Sequence, residues 1–295
     1  MAKISRYSMR TRIPTAILLT LLQGIVHQAL AADHLQANAP VRLALTFVRA
    51  NPVTTITVGD QPVQAIVDTG GDGAVTLTRA VIDRVGAVSL SDTLVTTNSY
   101  GQRLKKPRFR VPVLTIGGQT FKNMAVVQAP NWPPGQSPPV PNGIGRQFLS
   151  RYFVVLDFPH RSITLWTPGA KGAGRTTCGR IWIPMEHTSE RALAVGDFET
   201  QSGRVRLLFD TGATGSMIPQ ATAKTLRLPT IARGPGPVRF YESTTLSAAG
   251  QDFGPLEFVI LPLKLPGDFQ GMLGRNFFMH HVVCLDYRRK KVFIR

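Results

Sequence analysis

One short motif occurs twice, and it constrains this chain more than any other feature. Asp68-Thr69-Gly70 and Asp210-Thr211-Gly212 each end an apolar run, Ala65-Ile66-Val67 and Leu207-Leu208-Phe209. Small residues follow each, Gly71-Asp72-Gly73 and Ala213-Thr214-Gly215, and then a stretch that reads as a short helix. An apolar strand running into a glycine turn holds its aspartate at the end of a rigid element. Two such turns in one chain can face each other across a pseudo-two-fold axis. Carboxyl groups brought that close cannot both ionise, so they share a proton and serve as acid and base together.

The copies extend beyond the triplets. Asp68 and Asp210 are 142 residues apart. Gly145 and Gly274, Arg146 and Arg275, and Asp157 and Asp286 are each 129 apart. Between these anchors the second copy is therefore 13 residues shorter. Residues 129–143 of the first copy hold six prolines, which bars a central strand or helix and accounts for the difference. Residues 167–180 are glycine-rich and read as a boundary. The division expected is residues 1–31 as a leader, a lobe over 32–168, a linker over 169–178 and a second lobe over 179–295.

The leader is read from its first turns. Lys3, Arg6, Arg10 and Arg12 precede a mostly apolar run from Ile13 to Val26, and Ala29-Leu30-Ala31 has small-x-small spacing. This is the pattern of a cleaved secretory signal peptide, with a retained membrane anchor as the alternative. Localisation is then periplasmic or secreted. In such a compartment Cys178 and Cys284 are permitted to pair; two buried free thiols are the other reading. The formal charge of +17 falls to +13 without the four basic leader residues. That excess favours anionic surfaces weakly, but no nucleic-acid motif accompanies it and no nucleic-acid partner is expected.

The 27 glycines and 22 prolines fit many short strands and turns. Strands are expected over much of Val41–Val67, with a short helix over Thr78–Val85 stopped by Gly86. One hairpin is expected over Thr93–Leu104 with Tyr100-Gly101 near its tip, another over Val111–Val127, and a strand pair over Gly250–Ile260. Pro219 is placed at the first position of the second short helix. No Gly-x-Ser-x-Gly elbow and no P-loop occur. The six histidines show no metal-ligand spacing, and His280-His281 reads as structural.

These residues resemble the aspartic proteases. That family pairs each apolar-apolar-Asp-Thr-Gly turn with a later apolar-apolar-Gly segment packed beneath it. Here the later segments are Gly143-Ile144-Gly145 and Met272-Leu273-Gly274; Gly143 departs from the apolar pattern. The continuations Gly-Arg-Gln-Phe-Leu and Gly-Arg-Asn-Phe-Phe are also similar to the family. The resemblance implies an all-β chain of two homologous lobes with short helices and an active site between them. It implies an aspartic endopeptidase of retropepsin-like character that carries both half-sites, so that a monomer suffices. Asp68 and Asp210 are the implied catalytic pair, with Thr69, Gly70, Thr211 and Gly212 supporting them. Tyr100, Gly101 and Tyr241 stand in flap positions. Asp72 stands where retroviral-type members contact the substrate backbone. The substrate is a peptide or protein, and no cofactor or metal is required.

Where pepsin-like members carry a hydroxyl after each Gly, this chain has Gly71 and Ala213. A missing donor to the charged form raises the pair's pKa values. A catalytically silent peptide-binding module with the same fold is the main alternative. A basic protein that binds the cell envelope through its charge is a weaker one.

Overall fold

The computed structural model describes residues 39–131, 138–170, 178–186, 193–231, 239–265 and 268–295. The expected leader over 1–31 lies outside the described residues, as does most of the expected linker over 169–178. Residues Asn38–Arg295 form one compact unit.

Three sheets build it. An eight-stranded sheet draws only on the first half of the chain, from Thr46–Val48 to Gly143–Gly145. A nine-stranded sheet draws only on the second half, from Val195–Thr200 to Gly271–Leu273. The third joins them. Its six strands run in the order Val41–Ala44, Ser162–Trp166, Phe153–Asp157, Val283–Asp286, Lys291–Ile294 and Trp182–Pro184. Each half supplies three, and the halves meet where Phe153–Asp157 pairs antiparallel with Val283–Asp286. The protein is thus an all-β fold of two lobes.

The joining sheet owes its stability to residues buried on both faces. Phe153, Val154, Val155 and Leu156 are all buried, as are Val283, Cys284 and Leu285. Such near-continuous apolar runs belong to strands covered on both sides. Cys284 is bonded to Cys178, 106 residues earlier, with the Cα atoms 5.8 Å apart. The bridge packs with Phe153, Val155 and Val282 in a small apolar cluster of its own. A cross-link closing so long a loop stabilises by about 3–5 kcal/mol, chiefly by restricting the unfolded chain.

The local expectations are met unevenly. A helix of six residues, Arg79–Arg84, follows Thr78, and Gly86 adopts φ +62° just beyond it. Pro219 is the residue before helix Gln220–Thr225 rather than its first member. The two hairpins expected over 93–127 share one strand, Arg103–Ile116, which pairs with Val88–Thr97 and then with Gln119–Gln128. Pro107 and Pro112 did not break it: β-strands accept the proline φ where the missing N–H faces away from a partner. Gln251–Asp252 and Leu256–Ile260 do not pair with each other as expected. The turn between them contains Gly254 at φ +78°, and each joins a different neighbour.

Candidate active site

Both aspartates arrive by the same local route. In Gln61–Asp68, Val63, Ala65 and Val67 face the core, and the strand ends at Asp68. Parallel pairing sets Asp68 opposite Gly145. In Gly203–Phe209, Val205, Leu207 and Phe209 are buried. Asp210 follows at once, its N–H donating to the Leu273 carbonyl at 3.0 Å. In the first strand burial alternates with period two and fixes the register, so Asp68 cannot slide without exposing the whole apolar face.

The two turns are clasped by their threonines. Thr69 Oγ1 donates to the Phe209 carbonyl at 2.6 Å and accepts from the Thr211 N–H at 3.0 Å. Thr211 Oγ1 donates to the Val67 carbonyl at 2.7 Å and accepts from the Thr69 N–H at 3.0 Å. Both side chains are wholly buried. Four hydrogen bonds away from water therefore tie one lobe's turn to the other's, and each hydroxyl uses its donor and an acceptor site.

The same closeness demands glycine at the third position. A Cβ on Gly70 would lie 2.5 Å from the Asp210 carboxyl carbon, and one on Gly212 would lie 2.6 Å from that of Asp68. Each carboxylate in turn accepts a turn N–H, Gly70 to Asp68 Oδ1 at 3.0 Å and Gly212 to Asp210 Oδ1 at 2.9 Å.

The carboxyl groups hydrogen-bond to each other and titrate as a pair. Burial pushes Asp68 above the ordinary aspartate value, opposed by its bonds to Asp210, Gly71 and Gly70. Burial pushes Asp210 well above it, and the adjacent Asp68 charge adds to the rise. The pair thus shares one proton, and burial raises both carboxyls.

Asp68 and Asp210 lie at the floor of a cleft of about 730 Å³. Tyr100 also lines it, half exposed at the tip of the hairpin formed by Val88–Thr97 and Arg103–Ile116. Gly101, at φ +79°, packs beneath the stem of Lys264, and the Lys264 N–H donates to the Ser99 carbonyl at 2.8 Å. The first lobe's hairpin thus touches the second lobe over the cleft. Asp72 lines the cleft and is held by Arg146 Nη2 at 2.5 Å, with Lys106 Nζ at 3.8 Å.

Tyr241 does not take the flap position expected of it. It sits inside the second-lobe sheet, paired with Thr230 and Phe258, accepts a hydrogen bond from Gln220 Nε2 at 3.4 Å and is absent from the cleft lining. Its offset of 141 matched Tyr100, but the strand that holds it, Phe240–Ser243, lies between Thr230–Ile231 and Leu256–Ile260. The cleft also recruits residues that the pattern reading passed over. Arg146 was visible only as a repeat anchor. Lys106 and Arg103 carry no motif.

Comparison with known proteins agrees with this architecture. The chain belongs to the Aspartyl protease family, whose model matches residues 54–148 and 194–277, one segment in each lobe. Among solved structures, the aspartic proteinase from Irpex lacteus shares the fold, with a TM-score of 0.60 at 14% identity. The match covers 87% of this chain and 97% of that one. No curated protein sequence matches.

Proposed function

We propose that the protein is an endopeptidase that hydrolyses peptide bonds with a water held between Asp68 and Asp210. The observation that carries this reading is the pair of aspartates hydrogen-bonded to each other at the cleft floor, one from each lobe. Burial raises both carboxyls, and the pair shares one proton. The ionised member takes a proton from the water as the water oxygen attacks the peptide carbonyl. The protonated member donates its proton to the carbonyl oxygen, giving a neutral gem-diol. Collapse of that intermediate returns a proton to the departing amine. The chemistry uses no metal and no covalent intermediate. Thr69 and Thr211 hold the acids at this separation, and a near-attack arrangement of this kind is worth several orders of magnitude in rate.

Both half-sites belong to one chain, so a monomer is sufficient. The leader pattern over 1–31 and the Cys178–Cys284 bridge support an exported, envelope-associated enzyme.

The test is cleavage of a diverse peptide library from pH 3 to 8 by the protein and by Asp68→Ala. Cleavage that disappears in the variant supports the proposal. A folded protein that binds peptides and cleaves none at any pH would instead be a silent peptide-binding module.

A further inference from the structure

The two walls of the cleft differ in kind. The second-lobe wall is apolar. Leu193, Leu208, Ala213, Leu263, Phe269 and Met272 form a cluster separate from the main core, and all of them line the cleft. Among the described residues, Asp210 is that wall's only charged lining residue. The first-lobe wall is cationic. Arg103, Lys106 and Arg146 line it, against Asp72 as the only carboxylate besides the dyad among the described residues.

These cations are not equally occupied. Arg146 is committed: it reaches Asp72 at 2.5 Å and donates to the Gly70 carbonyl at 2.8 Å. Lys106 stands 3.8 Å from the same carboxylate, beyond hydrogen-bond length, with its side chain only 12% exposed. An ammonium not hydrogen-bonded to its nearest carboxylate has donors to offer an incoming anion. Arg103 sits on the same strand, opposite Thr97, with no carboxylate partner among the described residues. With the dyad singly ionised, the described lining retains a surplus positive charge. The chain's formal +17 adds long-range attraction of the same sign.

We propose that the cleft selects peptides in which an acidic side chain pairs with Arg103 and Lys106 while an apolar side chain near it rests on the second-lobe wall. An extended peptide supplies this arrangement directly, because successive side chains point to opposite sides. The inference rests on the peptidase reading of the same cleft and adds its substrate class.

The test separates selection from hydrolysis. Fluorescent peptides that share one apolar residue and carry Glu or Gln at each flanking position in turn are titrated against the Asp210→Asn protein, which holds them uncleaved. At one or more positions the Glu peptide binds about fivefold tighter at low salt, the scale of a partly exposed ion pair. Added salt reduces that ratio. In the same background Arg103→Gln and Lys106→Gln each lower it, and Arg103→Glu reverses it in favour of a Lys peptide. Thermal melting shows whether each variant remains folded; exposed Arg103 is the variant least able to disturb the core. Equal binding of Glu and Gln peptides at every position overturns the proposal, as does a preference that survives both substitutions, or no peptide binding at all. A Glu preference in binding without cleavage by the unmodified protein keeps the selectivity and refutes the peptidase. Cleavage with no Glu preference does the reverse.

Discussion

The two lobes present the same turn on different foundations. In the first, Asp72 follows the turn and is clamped by Arg146 with Lys106 nearby. In the second, Thr214 occupies the position of Asp72, and Arg275 finds no carboxylate among the described residues. Its guanidinium lies instead over the Phe47 ring of the first lobe, 5.3 Å from the centroid. The support under the second turn is neutral: Asn276 Oδ1 accepts from the N–H and hydroxyl of Ser216, both at 2.7 Å. The Ser216 hydroxyl accepts from the Gly274 N–H at 3.0 Å, whereas the matching Gly145 N–H donates to the Ala74 carbonyl at 2.9 Å. What both lobes keep is backbone closeness and the threonine clasp. What they exchange is charge. The dyad therefore demands geometry from each half, and the walls of the cleft are free to diverge.

The largest test of that symmetry is the dyad itself. Asp68→Asn and Asp210→Asn should each lower kcat/KM by about 10³-fold or more, the scale of removing an acid–base catalyst. A variant retaining near-normal turnover in single-turnover assays would show that one lobe carries the chemistry alone, and the comparison would fail at its centre.

Next comes the clasp. Thr69→Val and Thr211→Val each strand one buried N–H and one buried carbonyl, so each should destabilise by about 3 kcal/mol. Chemical denaturation measures both. Equal losses mark a true two-fold device, and a loss confined to one variant would place the clasp's strength in a single lobe.

The arginines sharpen the contrast. Arg146→Met leaves Asp72 without its closest cation and should cost about 3 kcal/mol. Arg275→Met loses a cation–π contact and should cost about 1 kcal/mol. A difference of about 2 kcal/mol between the two melts is expected. Similar costs would mean that the ionic support in the first lobe adds nothing to the neutral one.

Much of this was written in the chain's pattern. Two Asp-Thr-Gly turns after alternating apolar residues, each with its later glycine segment, place Asp68 and Asp210 in matching settings. Strand-to-turn register depends on local burial, which a sequence displays directly. The walls were less legible, because they depend on which strands extend and twist over the cleft. Tyr100 and Tyr241 stand at matching positions, yet only the first lines the cleft. Arg103–Ile116 runs on through Pro107 and Pro112, joining two hairpins that the pattern shows only separately. Lys106 and Leu263 come from distant segments, and nothing in either neighbourhood announces that they face one cavity.

The smallest expected effect concerns the charge the two lobes share. Asp210 is raised well above the ordinary aspartate value in the folded protein and returns to it on unfolding. Between those two values the folded state binds more protons than the unfolded state. Stability contributed by the protonated group is thus complete below the unfolded value and is lost as pH rises through the folded one. Asp68 is also raised, and Asp72 adds to its rise, so its titration acts in the same direction. Asp210→Asn keeps the oxygen that accepts the Gly212 N–H and removes the titration. Its melting temperature should match the unmodified protein near pH 4 and exceed it by roughly 2–4 °C at pH 7. The same raised values keep the singly protonated pair, and with it the proposed peptide cleavage, away from strongly acidic pH. A rate profile peaking near pH 2, or a variant that gains no stability at neutral pH, would mean that burial does not govern the dyad and that the turn N–H groups of the two lobes dominate it instead.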